Sequence, residues 1–132
     1  MKTETITKLN ALNADFYESI AVEFSNSRSY PWKGWNKVLD HIPIKKNLKV
    51  LDIGCGNGRF ALFMQELYSG TFSYYGIDSD KKLLSIANSA VKTNETCIFT
   101  DFHNLDIINK SLDTWPKSLT EEKYDLIVNY NN

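Results

Sequence analysis

Cysteine is scarce: Cys55 and Cys97 are the only two in 132 residues, too few for a disulfide scaffold in a chain of this size. Histidine is equally sparse, and neither His41 nor His103 has a Cys or an acid at metal-ligand spacing, so no metal site is expected. No apolar run approaches the roughly 20 residues of a membrane span. The opening Met1-Lys2-Thr3-Glu4-Thr5 carries an acid and leads into no apolar segment of a signal peptide. No membrane association and a cytoplasmic setting are therefore expected. An excess of either charge is missing too, with 15 Lys+Arg against 16 Asp+Glu and a net charge of −1. That balance excludes nucleic-acid binding through the overall field and leaves a local basic patch open. Internal repeats and low-complexity tracts are absent, and 42% hydrophobic residues are too many for a disordered chain.

What is present falls into two parts, residues 1–46 and 47–132. In the first, apolar residues at Ile6, Leu9, Leu12, Phe16, Ile20 and Phe24 step by threes and fours, which predicts a helix with one buried stripe. Pro31 can open a second helix with Trp32, Trp35, Val38, Leu39 and Ile42 on its apolar face, and Pro43 closes it. The second part alternates strands and helices. Leu48–Ile53 reads as a buried strand ending at a glycine, Arg59–Tyr68 as a helix with Gly70 at its C-cap, and Phe72–Ile77 as an aromatic strand. A helix capped by Asp80 runs to about Val91, followed by strands at Cys97–Thr100 and Tyr124–Val128. Such alternation predicts right-handed crossovers and a Rossmann-like open parallel sheet, an α/β fold. Ligands of these sheets sit beyond the carboxyl ends of the strands. That rule singles out the stretches after Asp52, at Asp78-Ser79 and at Asp101-Phe102.

Asp52-Ile53-Gly54-Cys55-Gly56-Asn57-Gly58 carries the most information. Three glycines at alternate positions between a strand and a helix make a turn whose backbone a ligand can touch directly, where an ordinary tight turn needs one. A dinucleotide site wants Gly-x-Gly-x-x-Gly, but the third position after Gly56 is Arg59. Asp52, at the end of the strand, would also repel a pyrophosphate. The same carboxylate suits a ligand that brings positive charge, an ammonium or a sulfonium, as S-adenosylmethionine does.

These residues resemble the first motif of the class I S-adenosylmethionine-dependent methyltransferases. The resemblance implies a cofactor site formed by Asp52, Gly54, Cys55, Gly56, Asn57 and Gly58. Asp78 would accept the ribose hydroxyls; its alternative role is a helix cap, for which Asp80 is better placed. Asp101 and Phe102, read as the loop after the third strand, would face the adenine, with Ile77 or Ser79 packing nearby; a solvated loop acid is the alternative for Asp101. Tyr124–Tyr130 resembles the family's fourth-strand motif, which would put Asn129 near the methionine amino group, unless it simply terminates the strand. Phe16–Trp32 is similar to the start of methyltransferases that esterify a carboxymethyl group on the tRNA wobble uridine. By that likeness Tyr17 and Arg28 lie near the methionine carboxylate, where an Arg fork can pair in two bonds. The alternatives are a packing tyrosine and a solvated arginine.

The family sheet usually has seven strands, and four are legible here. The chain therefore reads as the amino-terminal, cofactor-binding half of a longer enzyme, with the edge of the fourth strand left for a partner chain or the missing half to cover. Alone it is expected to bind the cofactor weakly and turn over poorly. The methyl acceptor, tRNA or a small molecule, and the catalytic residues are not legible. A non-catalytic methyltransferase-like partner subunit and an NAD(P)-dependent oxidoreductase remain as alternatives.

Overall fold

The structure is a computed structural model that describes residues 20–25, 39–106 and 114–131. Its elements in chain order are β1 (Ile20–Ser25), β2 (Leu48–Ile53), α1 (Arg59–Leu67), β3 (Phe72–Asp78), α2 (Lys81–Ala90), β4 (Cys97–Asn104), the single turn α3 (Lys117–Thr120) and β5 (Leu126–Asn131). The five strands form one parallel sheet in the order β1-β5-β2-β3-β4. β2 and β3 are buried almost without interruption, as central parallel strands covered on both faces must be.

Side chains alternate between the two faces, and a separate core forms on each. On one face Val50, Tyr74, Leu126 and Val128 pack against Phe60, Phe63 and Met64 of α1 and against Val91. On the other, Leu51, Ile53, Tyr75, Ile77 and Ile127 meet Trp115, Leu119 and Tyr124. The Rossmann-like parallel architecture expected from the sequence is the one observed. Among the described residues no helix is long and apolar enough to cross a membrane.

Several boundaries differ. Ile20 to Phe24, expected to end a helix, forms β1 and pairs in parallel with β5, Ile20 opposite Leu126 and Phe24 opposite Tyr130. The edge of β5, expected to lie bare, is thus covered by the chain's own earlier segment. The rest of the first expected helix, and the second as far as Val38, lie outside the described residues. The end of that second helix closes with the Ile42 amide donating to the Leu39 carbonyl at 3.2 Å. α1 stops at Leu67 and is capped through Tyr68, whose amide donates to Met64, so Gly70 lies beyond the cap. β4 runs four residues further than expected because β3 itself continues to Asp78 and pairs along its whole length. β5 begins and ends later than its apolar pattern implied.

Candidate functional site

β2 ends at the glycine loop, which reverses the chain into α1. Gly54, Gly56 and Gly58 all take positive φ, at 75°, 57° and 87°, a region where a Cβ costs about 1–2 kcal/mol. Gly58 is also packed tightly, since a Cβ there would come within 2.7 Å of Val91 Cγ2. Gly56 is the opposite case: a Cβ would meet nothing within 4 Å among the described residues, so the chain passes it with its backbone open. The loop's amides point inward. Gly54 and Cys55 donate to the Ile77 carbonyl at 2.8 and 3.0 Å, and Gly58 donates to the Cys55 carbonyl at 3.1 Å. The Gly56 amide donates to Asp78 Oδ2 at 2.8 Å. Four amides of the loop are therefore committed within the protein.

Asp52 sits beneath this loop and is fully buried. Tyr74 donates its hydroxyl to Asp52 Oδ2, while Asp52 Oδ1 has no hydrogen-bond partner among the described residues. The carboxyl is pushed up to about 7, chiefly by burial and further by the charge of Asp78, against the Tyr74 hydroxyl, which lowers it. The reach of Tyr74 depends on Gly76, which stands opposite Asp52 in the sheet register. A Cβ at Gly76 would come within about 3 Å of the Tyr74 ring, the Phe102 ring and Cys55 Sγ. Burial, together with Asp52 and Asp78, also pushes the Cys55 thiol up, so it stays protonated. Asn57 is half-buried in the turn.

Asp78 closes β3. Its Oδ2 holds Gly56, and its Oδ1 accepts from the Asp80 amide at 2.8 Å. Asp80, as expected, caps α2 by accepting from the Lys82 and Leu83 amides. Ser79 is exposed between them. Asp101 and Phe102 are not in a loop: both lie inside β4, Asp101 opposite Tyr75 and Phe102 opposite Gly76. The two side chains therefore face opposite sides of the sheet. Phe102 packs on Tyr74, ring centroids 5.7 Å apart, on the Asp52 side. Asp101 lies with Tyr75 and binds His103 Nε2 at 2.7 Å, so His103 is not solitary. The residue beside Asp78 at the strand ends is Asn104, whose Nδ2 donates to the Asp78 carbonyl at 3.0 Å. Phe102 and Asn104, with Lys81, Leu84, Ser85 and Asn88, line a cleft of about 320 Å³ between α2 and β4.

The structure thus gathers Asp52, Gly54, Cys55, Gly56, Gly58, Asp78 and Phe102 around one end of the sheet and separates Asp101 from them. Asn129 is inside β5, opposite Ile53, rather than beyond the strand. Tyr17 and Arg28 lie outside the described residues. Sequence reasoning missed Tyr74, Gly76 and Asn104. Gly76 inside a strand was the available signal, since a glycine there marks a close approach.

A family profile described as a methyltransferase domain matches residues 44–131. A protein of Invertebrate iridescent virus 6 that carries the name methyltransferase 235L is 30% identical over 107 residues, covering 81% of this chain and 35% of its own length. The phosphoethanolamine N-methyltransferase of Plasmodium falciparum is 32% identical over 91 residues, 69% of this chain and 30% of its own. A tRNA (carboxymethyluridine(34)-5-O)-methyltransferase of Schizosaccharomyces pombe is 34% identical over 73 residues, 55% of this chain and 29% of its own. The chain spans about a third of the length of these relatives. With a domain profile matched from just before β2 to the end of β5, the chain belongs to the methyltransferase domain family.

Proposed function

We propose that this chain is the methyl-donor-binding part of an S-adenosylmethionine-dependent methyltransferase. The observation that carries the reading is Asp52: a fully buried carboxyl with one oxygen unpartnered, below a loop whose backbone is open at Gly56. A buried carboxylate with an unsatisfied oxygen is costly unless something polar and positive completes it. The donor set fits a cationic nucleoside. Asp52 Oδ1 can accept from an ammonium, Asp78 retains lone pairs for ribose hydroxyls, and the Phe102 ring offers a flat apolar surface.

The same geometry disfavours a dinucleotide. Asp52 would repel a pyrophosphate, and the amides of Gly54, Cys55, Gly56 and Gly58 are committed within the protein; Asp78 does not discriminate, since a dinucleotide site also sets an acid on the ribose. When bound, S-adenosylmethionine supplies an electrophilic methyl group on a sulfonium. The protein's own task is alignment of that group with a nucleophilic O, N or C atom, which accounts for much of such a reaction's rate. The relatives' names span an RNA nucleoside and a small phosphoamine, so the reading commits to the donor and leaves the acceptor class to experiment. Side-by-side calorimetric titration with S-adenosylhomocysteine and NADH tests it. Binding of the former alone is expected, and binding of NADH alone would overturn the reading.

A further inference from the structure

We propose that Tyr74 is a positioning residue of the donor site: by occupying Asp52 Oδ2 it leaves the buried Oδ1 as the unpartnered oxygen and favours the ionised carboxylate that a cationic ligand group requires. The inference rests on the donor-binding reading above and assigns a role to a residue outside the glycine loop. Three features of the fold converge on this hydroxyl. The sheet register sets Gly76 opposite Asp52, and the missing side chain there gives the Tyr74 ring its room. The Phe102 ring then packs against Tyr74 from β4. The phenol reaches across the strand gap to the buried carboxyl.

The groups that face Asp52 are Tyr74 and Asp78 from β3 and the Cys55 thiol from the loop. All are neutral or negative, and among the described residues Asp52 makes no ion pair. Among the described residues the Tyr74 hydroxyl is the group that steadies its negative charge. Burial holds the ligand-free carboxyl up to about 7. Binding of an ammonium or sulfonium to the ionised form below that pH therefore breaks the carboxyl O–H bond and releases the proton to the buffer. A hydrogen bond to the ionised form lowers the pH at which this occurs, and its loss raises it.

The test is the pH profile of S-adenosylhomocysteine affinity between about pH 5.5 and about 8, in the wild type and in Tyr74→Phe, which keeps the ring and removes the hydroxyl. The wild-type dissociation constant should rise towards tenfold per pH unit below about 7 and level off above it, as a single linked proton demands. Tyr74→Phe should move that bend to higher pH, so that the variant loses about tenfold below the wild-type bend and progressively less above it. A purely structural role would weaken binding equally at every pH, and that result overturns the proposal, as does an unchanged profile. Should Tyr74→Phe fail to fold, calorimetry of the wild type in buffers of different ionisation enthalpy decides. Release of up to one proton per ligand near pH 6, retained in His103→Gln, supports the linkage, and no release overturns it. Failure of S-adenosylhomocysteine to bind at any pH removes the donor reading together with this one; binding with a flat profile removes this one alone.

Discussion

The two ends of β2 carry similar numbers of carboxylates and treat them oppositely. At the amino end, Asp125 pairs with Lys45 at 3.1 Å and Glu122 with Lys49 at 2.6 Å, and Asp125 also accepts from the Lys49 amide at 2.9 Å. At the carboxyl end, Asp52 and Asp78 make no ion pair among the described residues, and one of them is wholly buried. Consecutive tyrosines of β3 mark the same contrast. Tyr75 donates to Glu122 at 3.3 Å, beside a lysine, whereas Tyr74 donates to Asp52, which makes no ion pair among the described residues. Among the described residues the carboxylates of the amino end are ion-paired within the protein and those of the carboxyl end are not, the arrangement expected of an end that takes a ligand.

Removing the unbalanced charge should have the largest effect. An acid whose folded value is raised binds more protons folded than unfolded between the two values, so stability falls as pH rises from 3.8 to about 7. That penalty, on the order of 4 kcal/mol, is complete above pH 7 and absent below 4. Asp52→Asn should therefore raise unfolding stability at pH 8 by ~2–3 kcal/mol, gain little near pH 4, and cost about 10–100-fold in S-adenosylhomocysteine affinity. Chemical denaturation at the two pH values and calorimetry read both. No pH-dependent gain would break the comparison.

Next is Gly58→Ala, which combines a φ of 87° with a Cβ 2.7 Å from Val91 Cγ2. It should lose about 2–3 kcal/mol in denaturant melts. Gly56→Ala isolates the backbone effect, because its Cβ meets nothing within 4 Å among the described residues. Its stability should fall by only ~1 kcal/mol, while ligand binding falls by more than the loss in stability explains. The smallest effect belongs to the balanced end. Lys49→Met removes a half-exposed pair with Glu122 and should change stability by under ~1 kcal/mol and ligand affinity not at all. A drop in affinity equal to that of Asp52→Asn would show that the two ends do not differ in kind.

The carboxyl end was legible where its signals are local. Alternate glycines fix positive φ within five residues, and Asp80 caps α2 through amides two and three positions away. The segment Ile20–Ser25 was not. Ile20 and Phe24 fit a helical stripe, but Ile20, Val22 and Phe24 also fit the period of a strand. Pairing with β5, more than 100 residues later, decides between them. Asp101 was misplaced for a related reason: where β4 stops is set by how far β3 runs, not by the sequence of β4. The bond between Tyr74 and Asp52 depends on a register between strands that no spacing along the chain reports.

A structure of the chain with S-adenosylhomocysteine bound would show whether Asp52 receives the ligand's cation. The ligand's amino group should lie within hydrogen-bond distance of Asp52 Oδ1, with its ribose on Asp78 and the Gly56 backbone against it. A ligand seated in the α2–β4 cleft with Oδ1 still unpartnered, or a phosphate group against the loop, would contradict the account.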